Sequence, residues 1–320
     1  MSDITTKKIN VYGRDTDPQS GVSNSYQTSE YAFRQPTIHM LVGQRAAGKS
    51  RACSKLISQA QKEKTFDQIY LISPSAKSNE VYFGKFIPEE NIYYPTKDSV
   101  QKIIERVSQD RDEFQTHLED LKQYNEFVKL LKKGENFSDD MIMHYMDLGF
   151  LADNFKKPVW KYEKFSGKLR PPTSAVVLDD VLGSSLLKSN MLESLFCTNR
   201  HIAPLNEPHS DRSACGLAIY ILVQSYRNSG GGIPRVVREN LVELTLFKNK
   251  QKKQVDVIKD ELASVVDEDK FERALEYATN KPYGHLTISF GRLKCPTLTF
   301  RDQFNQLLIF KNDEKECNGN

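Results

Sequence analysis

Short apolar runs set off by turn residues punctuate this chain, separated by longer stretches in which apolar residues recur every three or four positions. The run "TIHMLV" (37–42) is followed directly by glycine, which predicts a buried strand. Cys53, Leu56, Ile57 and Ala60 then fall on one face of a predicted helix. "DQIYLIS" (67–73), closed by Ser-Pro, predicts a second strand. "SAVVLDDVL" (174–182), "LAIYILVQS" (217–225) and "LVELTLF" (241–247) predict three more, with a helix through "SNMLESLFCTNR" (189–200) between the first two. The tail offers helical patterns in "QVDVIKDELASVV" and "DKFERALEYATN", then strand-like runs in "GHLTISF" and "PTLTF". Strands alternating with helices indicate an α/β fold with a largely parallel sheet, to which the closing strands can add an antiparallel edge.

Two regions depart from that alternation. Residues 1–35 are polar, without strand or helix period, and read as a mobile N-terminal arm, with order beginning near Pro36. From about Thr96 a long charged helix carries Val100, Ile104, Val107, Phe114, Leu118, Leu121 and Val128 on its seam, interrupted by Arg111 and Asn125. Gly134 should end it, and Ser138 with Asp139 should cap a shorter helix through "MIMHYMDLGF". The region from about 96 to 157 therefore reads as a helical hairpin laid over the core, with gripping a partner as the alternative use. The predicted organisation is an arm (1–35), a core with this insertion (36–250) and a C-terminal extension (251–320).

Composition narrows the setting. The chain has 320 residues, 38% hydrophobic and 27% charged, enough to bury a large core. It has no apolar segment near the roughly 18 residues that cross a bilayer, and "MSDITTKKIN" lacks a signal-peptide core, so the expectation is a soluble intracellular protein, neither secreted nor membrane-bound. Five cysteines, scattered and without metal-type spacing, are expected to be free thiols. A net charge of +3 does not by itself demand a polyanion partner, and the basic run "KNKQKKQ" (248–254) is the kind usually found as a solvated loop.

Gly43–Ser50, "GQRAAGKS", satisfies G-x-x-x-x-G-K-[ST] between a predicted strand and a predicted helix. The glycines allow successive N–H groups to face inward as an anion nest completed by the helix N-terminus. Gly43, Gln44, Arg45, Ala46, Ala47, Gly48, Lys49, Ser50 and Arg51 are the candidate nucleotide contacts, with Lys49 reaching the β- and γ-phosphates and Ser50 ligating Mg²⁺. Asp179 and Asp180 close an apolar strand at its carboxyl end, where open α/β sheets bind ligands. Asp179 would hold the metal and Asp180 would polarise water. Gln224 ends another strand and would sense the γ-phosphate if that strand lies between the other two. The long spacing from Lys49 to Asp179 favours a motor-like ATPase over a compact kinase. "NKQK" (249–252) lacks the aspartate of a guanine-reading N-K-x-D, so adenine is preferred and ATP with Mg²⁺ is the expected pair.

Together with "NRHIAP" (199–204) before "LVQS" and with "GIPRVVREN" (232–240), these motifs resemble the FtsK/HerA superfamily of P-loop translocases, specifically the poxvirus-type genome-packaging ATPases of large DNA viruses and virophages. The resemblance spans roughly residues 36–247. It implies a RecA-like (ASCE) P-loop NTPase, assembled as a homo-oligomeric ring, a hexamer by preference. Such a ring would pump double-stranded DNA into a capsid through a portal or capsid partner, in the host cytoplasm, a viral factory or the virion. It also implies an arginine donated across a subunit interface. Arg200 and Arg238 occupy the matching positions, and Arg235 is a further candidate. Channel contacts to DNA phosphates would come from Arg227, Arg235, Lys250 and Lys252. "HIAPLNEPHSDRSACG" (201–216) is longer than the family pattern, which bears on the alignment of Arg200. The competing readings are a helicase or mobilisation ATPase on the same fold, a slowly hydrolysing nucleotide switch, and a phosphotransferase with a small acceptor.

Overall fold

The computed structural model describes residues 4–11, 35–75, 81–134, 136–152, 156–162, 169–181, 184–206, 214–227, 233–249, 252–263, 266–290 and 300–311. In chain order the main elements are β1 (Ile4–Lys8), β2 (Ile38–Val42), α1 (Lys49–Lys62), β3 (Gln68–Ile72), β4 (Ile92–Tyr93), α2 (Lys97–Lys133) and α3 (Asp139–Asp147). There follow β5 (Ser174–Asp179), α4 (Asn190–Thr198), β6 (Ala203–Pro204), β7 (Ala214–Cys215), β8 (Leu217–Val223), α5 (Arg235–Glu239) and β9 (Glu243–Phe247). The last are α6 (Lys252–Leu262), α7 (Glu268–Thr279), β10 (His285–Ser289), β11 (Phe300–Asp302) and β12 (Gln306–Phe310).

One ten-stranded sheet organises the molecule, in the order β1-β12-β11-β10-β9-β2-β8-β5-β3-β4. From β9 through β2, β8, β5 and β3 to β4, neighbours run parallel. From β9 outward through β10, β11 and β12 to β1 they run antiparallel. The parallel strands are mainly apolar because helices cover both faces. Leu41, Leu71, Val177 and Leu222 pack under Cys53, Leu56 and Ile57 of α1. On the other face Met40, Val176 and Ile221 meet Val100 of α2, Leu192 of α4 and Phe271 of α7. Each fully buried Leu, Ile, Val or Phe there stabilises the fold by about 1.5–3 kcal/mol.

The helix borders follow from their capping residues. Thr96 and Ser99 form a reciprocal capping box at the start of α2, and Gly134 closes it in the left-handed region at φ 66°. Ser138, Ser189 and Asp267 each accept a hydrogen bond from the third backbone N–H beyond them, at the starts of α3, α4 and α7.

Two expectations are corrected. Order begins before Pro36: Ile4–Lys8 pairs in register with Gln306–Phe310, so the start of the supposed arm is an edge strand. Its side chains other than Ile4 are exposed, so backbone hydrogen bonds, not an apolar pattern, hold it. Residues 12–34 lie outside the described residues. The closing strands of the C-terminal extension add the expected antiparallel edge, β10, β11 and β12 continuing the same sheet; of "PTLTF" only Phe300 is described. Finally, α2 covers the sheet only at its beginning, through Val100, Ile103 and Val107. Further along, Phe114 and Leu118 pack with Leu205 and Trp160, and the distal end forms its own cluster of Phe127, Tyr145 and Phe150 with α3. At 37 residues α2 is about 55 Å long, which carries its tip beyond the sheet. Arg111, the polar break in its seam, donates to the Pro204 carbonyl at 2.7 Å and ties the helix to the β6–β7 ribbon. That ribbon is built from the lengthened 201–216 segment, of which 207–213 lie outside the described residues. Cys53, Cys197 and Cys215 are free thiols; Cys295 and Cys317 lie outside the described residues.

Candidate nucleotide site

The chain passes from β2 into Gly43–Ser50 at the carboxyl rim of the parallel strands, and α1 begins at Lys49. The Gly43 N–H donates to the Val223 carbonyl of β8 at 3.1 Å, which anchors the loop's entry. A Cβ on Gly43 would sit 2.8 Å from Cβ of Phe247, so β9 approaches too closely for any side chain there. Ala46 (φ 64°) and Gly48 (φ 97°) are both left-handed, the backbone conformation from which anion nests ahead of a helix are built. Gly48 is doubly required, since a Cβ would also meet the Tyr283 ring at 3.0 Å. The Lys49 ammonium donates to the carbonyls of Gly43 (2.6 Å) and Gln44 (3.1 Å), spanning the loop mouth. Partial burial lowers its pKa, opposed by the charges of Asp179 and Asp180.

The order β2-β8-β5 puts one strand between the loop strand and the carboxylate strand, as the sensor role of Gln224 requires. Ser50 Oγ donates to Asp179 Oδ2 at 3.1 Å. Asp179 is buried, while Asp180 is exposed and left-handed at φ 54°. That conformation turns Asp180 out of the strand, and Gln224 Nε2 donates to its Oδ1 at 3.1 Å. The two acids thus part company: one faces the loop serine, the other faces the strand-terminal amide. A hydroxyl beside a carboxylate is the hard-oxygen donor set that suits a Mg²⁺ ion keeping most of its waters.

The arginines divide. The carbonyl of Asn199, next to Arg200, accepts from the Leu217 N–H at 2.8 Å, at the amino end of β8. The phosphate loop is at the other end of that seven-residue strand, about 20 Å away. Arg200 is therefore remote from its own loop. Arg238, on the helix that leads into β9, is tethered: its Nε donates to Glu261 at 3.1 Å, its Nη1 to the Ile233 carbonyl, and its guanidinium lies 5.7 Å from the Tyr226 ring centroid. Arg235 pairs with Glu239 at 2.6 Å and is exposed, and exposed Arg227 stands 3.7 Å from Glu261. Lys250 lies outside the described residues, and Lys252 opens α6.

Sequence reasoning missed an amide chain behind the loop. Gln44 donates to Asn249 at 3.1 Å, Asn249 to Gln254 at 3.3 Å, and Gln254 to Ser225 at 2.7 Å, which links the loop to the end of β8. Asn249 belongs to the "NKQK" tested for guanine; its role here is to brace the loop. It also missed Tyr283. The only signal was a Pro-Tyr-Gly turn ahead of a strand, and its significance depends on that strand running antiparallel.

A P-loop NTPase with a RecA-like, mostly parallel central sheet is the class that this strand order and strand–loop–helix unit define. No protein-family model matches the chain, and no curated protein matches it. Among solved structures it is similar to the genome packaging NTPase B204 from Sulfolobus turreted icosahedral virus 2 in complex with ATP-gammaS, at 12% identity over 84% of this chain and 97% of that one, TM-score 0.44. It is also similar to the pCW3 conjugation coupling protein TcpA, monomer form with ATPgS, at 14% identity over 96% of this chain and 72% of that one, TM-score 0.42. A third is EssC (ATPases 2 and 3) from Geobacillus thermodenitrificans, at 12% identity over 96% of this chain and 48% of that one, TM-score 0.37. Among the described residues no helix is long and apolar enough to cross a membrane.

Proposed function

We propose that the protein hydrolyses ATP and uses it to move double-stranded DNA into a viral capsid, acting as a homo-oligomeric ring. The observation that carries the nucleotide part is the convergence of Ser50, Asp179, Asp180 and Gln224 on the rim from which the phosphate loop emerges. In this reading the loop amides hold the triphosphate, and Lys49 exchanges its carbonyl partners for phosphate oxygens. Mg²⁺, held by Ser50 and Asp179, neutralises phosphate charge when bound. Asp180 accepts the proton of the attacking water, and the Gln224 amide fixes the carboxylate that does so. Adenine is favoured because "NKQK" carries no guanine-reading carboxylate and its Asn249 bonds the loop.

The DNA and capsid parts rest on the motif resemblance. Within it, Arg200 can touch a nucleotide only on a neighbouring subunit, since a strand's length separates it from its own loop. Arg238 would first have to leave Glu261. Exposed Arg227 and Arg235 are the described candidates for contact with DNA phosphates.

The test is ATP turnover by the full chain with no DNA, single-stranded DNA or duplex. Duplex should stimulate most. Preference for single strands would favour a helicase, and indifference to both would leave a switch or a kinase. Mixing Arg200→Ala with Asp180→Asn subunits should restore part of the lost turnover; no recovery at any ratio would remove Arg200 from the shared site.

A further inference from the structure

The antiparallel half of the sheet raises its own loops to the rim where the phosphate loop stands. Because β10 runs against β9, His285 pairs with Phe247, and the turn before it (281–284) arrives beside Gly48. The β11–β12 turn arrives with it, the Gln303 N–H donating to the His285 carbonyl at 2.8 Å. Between these turns and α1 lies a cavity of about 330 Å³ whose walls include Gly48, Arg51, Pro282, Tyr283, His285 and Phe304. That volume falls at the small end of the range for ligand sites.

Three features of this cavity are unexplained by packing. Tyr283 is left-handed at φ 60°, an uncommon conformation for an aromatic residue, and is 63% exposed with one ring edge against Gly48. His285 is only 5% exposed, yet its Nε2 has no hydrogen-bond partner among the described residues. Its Nδ1 lies 3.1 Å from the Tyr283 carbonyl, so Nδ1 carries the proton and Nε2 is left as an acceptor. Burial lowers the His285 pKa to about 4, which keeps the ring neutral near pH 7. A buried acceptor without a partner, on a residue that lines an aromatic-walled cavity, suits a planar ligand bearing an amine.

A triphosphate held by Gly43–Ser50 has two directions in which to send its sugar and base. One side is occupied by Asp179 and Asp180. The other opens on this cavity. We infer that Tyr283 and Phe304 form the seat of the nucleobase, with Tyr283 stacking on its face and His285 accepting from the exocyclic amine of adenine. This rests on the nucleotide reading of the loop and adds to it the groups that choose the base.

The experiment is calorimetric titration of the full chain with ATP, ITP and base-free tripolyphosphate, each with Mg²⁺, for the wild type, Tyr283→Ala, Tyr283→Phe and Lys49→Ala. Tyr283→Ala should weaken ATP about tenfold to a hundredfold, the range of one lost base–aromatic stack. It should leave tripolyphosphate within about twofold, and Tyr283→Phe should keep ATP affinity because the ring remains. ITP, with a carbonyl in place of the amine, should bind the wild type less tightly than ATP. Equal weakening of ATP and tripolyphosphate by Tyr283→Ala would show that the ring only props the loop at Gly48 and would overturn the seat. So would no change in ATP, and equal affinity for ITP would overturn the His285 contact. Failure of the wild type to bind either ATP or tripolyphosphate, or Lys49→Ala binding both normally, would instead refute the phosphate loop itself.

Discussion

The parallel and antiparallel halves of the sheet are built from different residues. In β3, β5 and β8 the strand interiors are almost wholly apolar, and the groups of the candidate site stand where strands end, as Asp179 and Gln224, with Gly43 at the end of β2. From β2 outward toward the antiparallel edge, polar groups lie within the strands and are buried. His39, Glu243, Thr245, Thr287, Ser289 and Arg301 are all at most 4% exposed on one face of β2, β9, β10 and β11. His39 and Thr245 are 2.8 Å apart, as are the hydroxyls of Thr245 and Thr287, and Ser289 donates to Glu243 at 2.6 Å. Burial drives the Glu243 pKa up to about 7 against the pull of Arg301, and takes His39 down to about 3. One half keeps its charges at the rim, where they can act on a ligand; the other spends polar groups on holding strands in place.

That division predicts where mutations act. The largest effect should come from Asp180→Asn, which removes the proposed base: turnover should fall about 10²–10⁴-fold, with ATP affinity and thermal midpoint little changed. A variant that turns over ATP at the normal rate would take Asp180 out of the chemistry. Next is Arg301→Ala, which strips the buried positive partner from Glu243 and should cost about 3–5 kcal/mol of stability. It should lower the denaturation midpoint while sparing turnover per folded molecule; loss of turnover in fully folded protein would erase the distinction between the halves.

The smallest effect is a pH signature. The folded-state pKa of Glu243 lies above its ordinary value of 4.5, so the folded protein holds an extra proton between pH 4.5 and about 7, and this contribution to stability is lost as pH rises through that window. His39 and His285 act in the opposite sense, their lowered values making stability fall as pH drops below 6.5. Glu243→Gln removes only the first term. Relative to the wild type, its thermal midpoint should therefore rise between pH 5 and pH 8, and a constant difference would mean that Glu243 does not titrate there.

The same contrast explains what could be read from the sequence. Strands covered on both faces announce themselves as apolar runs, so β2, β3, β5, β8 and β9 were legible, as was the stripe Cys53, Leu56, Ile57 and Ala60 on α1. β1 was not: "ITTKK" has one buried side chain and is held by its neighbour's backbone. β12, "QLLIF", was passed over in the tail although Leu307 and Leu308 are fully buried. Ser50, Asp179, Asp180 and Gln224 were legible because residue type, spacing and strand ends coincide. Tyr283 and His285 were not, since nothing local says that a turn so distant in sequence will lie against Gly48. The tether between Arg238 and Glu261 was hidden for the same reason.

Because Ile4–Lys8 takes its backbone partners from Gln306–Phe310, the two ends of the described chain form a single seam. During synthesis Ile4–Lys8 must wait, unpaired, until Gln306–Phe310 has left the ribosome. The α/β half that carries the phosphate loop can collapse earlier from nearer neighbours, so closure of the outer edge becomes a late event in folding.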